Sequence, residues 1–213
     1  MGVGGNLVVP NFPVMSGTSF AAPQIYGAIA ILMQQNSMLK TYPQMVKSLV
    51  IASAAPIQST LEGGFTFLDS GLDQKLGAGL LNVNIAIKNN DPLVLPISSG
   101  TDGQVVQSIL FFASANSFFR ASLSNLILIR NNSDIDTQFT VYNVRVVDPN
   151  GNIVDWSKEP GMESFFSSSK TTYNNNVRIN TFFALSGQYR LEIILYGTKI
   201  LDTEYIGVTL FTW

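Results

Sequence analysis

The stretch Met15-Ser16-Gly17-Thr18-Ser19-Phe20-Ala21-Ala22-Pro23 decides how the rest of this chain is read. A serine placed after Gly-Thr, at the opening of an apolar helix, has its hydroxyl near the positive end of the helix dipole, beside backbone N–H groups that lack intrahelical partners. A nucleophilic oxygen gains most there, because donors already point to where negative charge develops. Gly17 leaves room for a substrate backbone, and Pro23 costs little so near the helix start. The plain alternative is that Ser19 serves only as an N-cap, the commonest role of serine at a helix start.

Around this stretch the composition sets limits. The chain has 213 residues, 46% hydrophobic and only 12% charged, with no cysteine and no histidine. Ser, Thr, Asn and Gln together make 63 residues, so the expected surface is neutral and polar. A net charge of −2 gives no basic footprint for nucleic acid and no cationic patch for a membrane. Absent cysteine excludes disulfides, thiolate metal sites and cysteine nucleophiles; absent histidine excludes an imidazole base within this chain. No signal peptide is legible, and the longest apolar run, Ile25 to Met33, is too short to span a bilayer.

Two textures follow one another. Ile25, Ile29, Leu32 and Met33 fall on one helix face up to about Asn36, and the small residues between them predict a helix buried nearly all round. Thr41 and Gln44, in capping-box spacing with Pro43, announce a second helix carrying Met45, Leu49 and Ala52. The run from Leu76 to Asn82 leads into a last helix capped by Asn82. Residues 91–104 read as a linker. Beyond them the period falls from 3.6 to 2: Tyr142, Val144 and Val146 alternate with polar neighbours, as do Leu191, Ile193 and Leu195. Seven or eight such strands, separated by turns, predict an antiparallel sandwich over 105–213.

The quoted string resembles the active-serine segment of subtilisin-like serine proteases, whose pattern is G-T-S-x-A-x-P. Gly17, Thr18, Ser19, Ala21 and Pro23 meet all five fixed positions, a coincidence expected in about one chain of this length in several thousand. The resemblance continues through the Pro43 helix and through Gly77-Ala78-Gly79-Leu80-Leu81-Asn82, which is similar to the family's G-x-G-x-x-N turn. It implies an α/β fold class for residues 1–90, as the C-terminal part of a subtilisin-like peptidase domain, followed by the linker and an accessory all-β antiparallel sandwich.

Carried over, Ser19 is the acylating nucleophile and its own N–H an oxyanion donor, while Gly17 and Thr18 shape the wall beside the scissile bond. In this family the triad runs Asp, then His, then Ser. Neither Asp nor His occurs among the 18 residues before Ser19, so the Asp, the His and the oxyanion Asn are expected upstream, and the isolated chain is expected to be inactive. Gln24 departs from the histidine usual after the family's proline, which is not the triad base. A lysine base (Lys40, Lys47, Lys75 or Lys88) is the weaker chemistry, since each reads as a solvated surface residue.

The implied partners are a peptide or protein substrate and the missing catalytic portion, in cis or in trans, with no nucleic acid and no membrane. An extracellular or cell-surface setting is implied by family alone. No cofactor and no metal is called for. The loop Asn131-Asn132-Ser133-Asp134-Ile135-Asp136 gathers oxygen ligands suited to calcium but reads better as an Asx-rich turn. Phenylalanines come in adjacent pairs at 111–112, 118–119, 165–166 and 182–183. Neighbours in a strand face opposite ways, so the sandwich is expected to pack its second face against the helices or a partner. Residues 1–90 alone are expected to expose apolar helix faces. The rival function is a non-catalytic relic whose sandwich binds protein or glycan.

Overall fold

The computed structural model describes residues 17–55, 78–126, 140–156, 176–197 and 203–213. Among these residues four helices come first: α1 (Thr18–Gln35), α2 (Met38–Thr41), α3 (Pro43–Ser53) and α4 (Val83–Lys88). Eight strands follow: β1 (Leu93–Ile97), β2 (Val105–Ala113), β3 (Phe118–Asn125), β4 (Thr140–Val147), β5 (Ile153–Trp156), β6 (Asn176–Phe182), β7 (Gly187–Gly197) and β8 (Glu204–Thr212).

The strands form two four-stranded antiparallel sheets, ordered β1-β8-β3-β6 and β2-β7-β4-β5. Alternate residues of both sheets meet between them, with Phe119, Leu123, Tyr142, Val144, Leu191, Ile193 and Val208 all buried in one apolar core. Aromatic rings close one end of it. Phe111 stacks on Phe119 at 4.7 Å, and Phe183 on Tyr189 at 4.0 Å. The expected sandwich is therefore present. No parallel strands occur among the described residues, so an α/β sheet beneath the helices is not part of what they show.

Several local expectations need correction. Residues 91–104 are not a free linker. Leu93–Ile97 pairs with β8 as an edge strand, and a Cβ on Gly100 would lie 2.6 Å from the Leu195 side chain. The apolar-then-proline texture of that stretch hid a strand, because Pro96 is tolerated at a sheet edge. The Thr41–Gln44 capping box does not form: Thr41 ends α2, and Tyr42 is the N-cap of α3 without a side-chain bond. Asn82 does cap α4, accepting from the Ile85 N–H at 3.1 Å. Gly79, at φ 105, supplies the turn before it in a conformation that side chains disfavour.

α1 is far less buried than its composition suggests. Only Ala28 and Leu32 are inside, and Tyr26 is 72% exposed. The C-terminal half of α1 joins α2, α3 and α4 in a small cluster of Leu32, Leu39, Met45, Val46, Leu49 and Ala86. Its N-terminal half has no such partner among the described residues, so Phe20 lies in the open, 51% exposed.

The second face of the β1-β8-β3-β6 sheet carries the helices. Odd positions of β3 (Phe119, Ala121, Leu123) enter the sandwich core, while even positions (Arg120, Ser122, Ser124) face outward and are still buried. α3 lies over β3 and β8 there. Ser122 Oγ donates to the Ser48 carbonyl, and Ser48 Oγ lies 2.8 Å from Thr209 Oγ1. On β8, Gly207 faces the Gln44–Met45 backbone so closely that a Cβ would sit 2.6 Å from the Met45 nitrogen.

The Phe pairs divide as strand geometry requires. Phe111, Phe119 and Phe183 pack on the core, Phe118 is half-buried, and Phe112 and Phe182 are about 70% exposed. Packing on the helices thus accounts for part of the second face only. Phe165 and Phe166 lie outside the described residues.

Candidate active site

Ser19 is the second residue of α1 and is exposed. Its place in the helix departs from the plain N-cap reading. The N-cap is Gly17, with an extended backbone (φ 160, ψ 166), whose carbonyl accepts from the Phe20 N–H at 3.0 Å and the Ala21 N–H at 3.4 Å. Intrahelical bonding therefore begins at Phe20, and the amides of Thr18 and Ser19 have no intrahelical acceptor. The Ser19 hydroxyl makes no side-chain hydrogen bond among the described residues, and no acidic residue sits in the first turn.

Two neighbours shape this helix start. Among the described residues nothing lies within 4 Å of where a Gly17 Cβ would be. Pro23 stands inside α1, as its sixth residue. Its missing N–H would have bonded the Ser19 carbonyl four residues earlier, so that carbonyl too is left without a helical partner. The result is a serine whose hydroxyl, amide and carbonyl are all uncommitted within the helix. An exposed hydroxyl beside free amides can attack a carbonyl carbon and stabilise the oxyanion that forms, once a base takes its proton.

Gly17, Thr18 and Ser19 are thus brought together by contiguity alone. Met15 and Ser16 of the same motif lie outside the described residues, as do Lys75 and the Asn131–Asp136 loop. Of the other lysines, Lys40, Lys47 and Lys88 are exposed on α2, α3 and α4, as expected of solvated residues. Partial burial pushes the Lys47 ammonium below its usual pKa. No group of three or more potential metal ligands occurs among the described residues, and no helix there is long and apolar enough to cross a membrane.

Sequence reasoning missed a second set of polar residues, which hold the helices to the sandwich. Arg120 on β3 donates through Nη1 to the carbonyls of Ala52 (3.0 Å) and Ala54 (2.9 Å) at the C-terminal end of α3. Arg178 on β6 donates to the Ala78 carbonyl. Ala55 and Leu80 are joined by a two-bond backbone bridge at 2.7 and 2.8 Å, tying the end of α3 to the turn before α4. The available signal was the alternation Phe119-Arg120-Ala121-Ser122-Leu123-Ser124, whose small polar residues leave space for a helix on the outer face.

Residues 5–79 match the model of the subtilase family. No curated protein matches the chain. Among solved structures, a pre-peptidase C-terminal domain of collagenase from Bacillus anthracis aligns at 10% identity and a TM-score of 0.35, over 57% of this chain and 88% of that one. A serine protease of Aeromonas sobria aligns at 16% identity and a TM-score of 0.24, over 92% of this chain and 44% of its own. This chain therefore spans under half the length of that protease. Overlaps this loose establish no shared fold.

Proposed function

We propose, from the premise that residues 5–79 are a subtilase-family segment, that this chain carries the serine-bearing C-terminal part of a serine endopeptidase. Ser19 attacks the peptide carbonyl. The Ser19 amide supplies one oxyanion donor, and Gly17 and Thr18 line the passage for the substrate backbone. The carrying observation is the exposed Ser19 at a helix start whose first amides are unbonded. With no histidine in these 213 residues, the general base and its orienting Asp come from a further portion, in cis or in trans, and the chain alone is inactive.

In this reading residues 1–90 form the peptidase segment and 105–213 an accessory sandwich, and residues 91–104 join them while adding edge strand β1 to the sandwich. The exposed side chains of Phe20, Tyr26 and Ile31 on α1 are where the rest of the peptidase domain packs. Secretion to the cell exterior fits the family. A second reading, a non-catalytic relic whose sandwich binds protein or glycan, draws on the exposed Phe112 and Phe182.

A fluorophosphonate probe separates the two readings. No labelling of the chain alone, then labelling at Ser19 when an Asp- and His-bearing subtilase portion is added, supports the peptidase. Absence of labelling under both conditions favours the relic.

A further inference from the structure

We propose that Arg120, Arg178 and Asn180 form an oxyanion-binding site at the junction of the helices and the sandwich, taking a carboxylate or phosphate group. The two arginines are 4% and 2% exposed, on neighbouring strands β3 and β6. Both share one acceptor: Asn180 Oδ1 lies 2.5 Å from Arg120 Nε and 3.4 Å from Arg178 Nε. Among the described residues no carboxylate forms an ion pair with either guanidinium.

A buried charge without a counter-charge is costly, and proteins relieve that cost by pairing it. Arg120 is partly answered. It sits on the carbonyls at the C-terminal, negative end of α3, and its guanidinium lies 5.5 and 5.4 Å from the ring centres of Phe118 and Trp213. Arg178 has one carbonyl, Ala78, and the shared amide oxygen. Burial lowers the pKa of Arg120 to about 10; burial and then the charge of Arg120 do the same to Arg178. Two guanidiniums that share one acceptor on neighbouring strands suit a planar or tetrahedral oxyanion better than a lysine pair would.

The test uses the whole chain and inorganic phosphate at constant ionic strength, with thermal unfolding as the readout. A rise in Tm of at least ~3 °C that Arg178→Met removes and Arg190→Gln preserves supports the site. No rise beyond that of Arg178→Met overturns the proposal. Should Arg178→Met fail to fold, the Arg178 Nε–Hε NMR signal reads the site directly. That signal must move on phosphate addition, and a stationary signal overturns the proposal.

Discussion

The hydroxyl oxygens of Ser48 and Thr209 lie 2.8 Å apart, buried, and separated by 161 positions in the chain. They join α3 to β8 at the centre of the helix–sandwich contact. Ser48 Oγ also donates to Met45 O, and the Ser48 carbonyl receives Ser122 Oγ. Thr209→Val and Ser48→Ala should each lower stability by about 1 kcal/mol, the usual net worth of a buried hydrogen bond. Combined, they should lose less than the sum, with a coupling of about 0.5–1.5 kcal/mol in a double-mutant cycle by urea denaturation. Strict additivity would mean that the two hydroxyls do not meet in solution.

Gly207→Ala should be worse than either. The new methyl would press on the Gln44–Met45 backbone, which cannot swing aside as a side chain could. Overpacking of this kind costs about 1–3 kcal/mol. The urea midpoint should fall while the m-value holds, and an unchanged midpoint would show that α3 does not rest on β8.

Tyr142 tests the tie between the two sheets. Its hydroxyl, on β4, donates to Glu204 Oε2 on β8 at 2.7 Å. Burial first, then the bond to Glu204 and its charge, push the Tyr142 pKa well above its usual 10.0. A raised folded-state pKa on an acid means that the neutral form is the one the fold stabilises. The contribution is therefore complete below pH 10 and is lost as pH climbs above it. Tyr142→Phe should cost about 1–2 kcal/mol at pH 7 and flatten the alkaline limb of the stability profile. An alkaline limb identical to the parent's would remove Tyr142 as its source.

Ser19→Ala separates chemistry from capping. Ser19 is exposed and Gly17 is the N-cap, so stability should stay within about 0.5 kcal/mol. Reconstituted fluorophosphonate labelling should vanish. A loss near 1 kcal/mol would restore the capping role instead.

Acid should act through Glu192, which accepts from Arg145 Nε at 2.7 Å and Arg190 Nε at 2.6 Å. Burial alone would raise its pKa, but the bonds and charges of the two arginines hold it below the usual carboxylate value. Its contribution is present above about pH 4.5 and fades as pH falls below that. Glu192→Gln should blunt the acid limb of a pH–stability profile, and an unchanged limb would count against the pairing.

Much of the fold was legible because it is written in local periods. The i, i+4, i+7 spacing of Ile25, Ile29 and Leu32 marks α1, and Asn82 marks the start of α4. The period-2 runs at Tyr142–Val146 and Leu191–Leu195 place those side chains in the core where they are found. The serine motif was legible too, since Gly17 to Pro23 is contiguous and needs no tertiary contact to be seen. Pairing and coverage were not legible. Whether Leu93–Ile97 is linker or edge strand depends on β8, which lies about a hundred residues away.

By itself, then, the sequence determined most of the helix and strand segments, though not β1, and placed Ser19 at a helix start. Both follow from backbone geometry acting over a few residues. Only the tertiary structure decided that α1 leaves its N-terminal half open, and that Arg120, Ser122 and Thr209 are buried beneath α3 rather than solvated. A period-2 pattern says that a strand has two faces. Which distant element covers the second face is settled by long-range packing and by which polar groups find partners there.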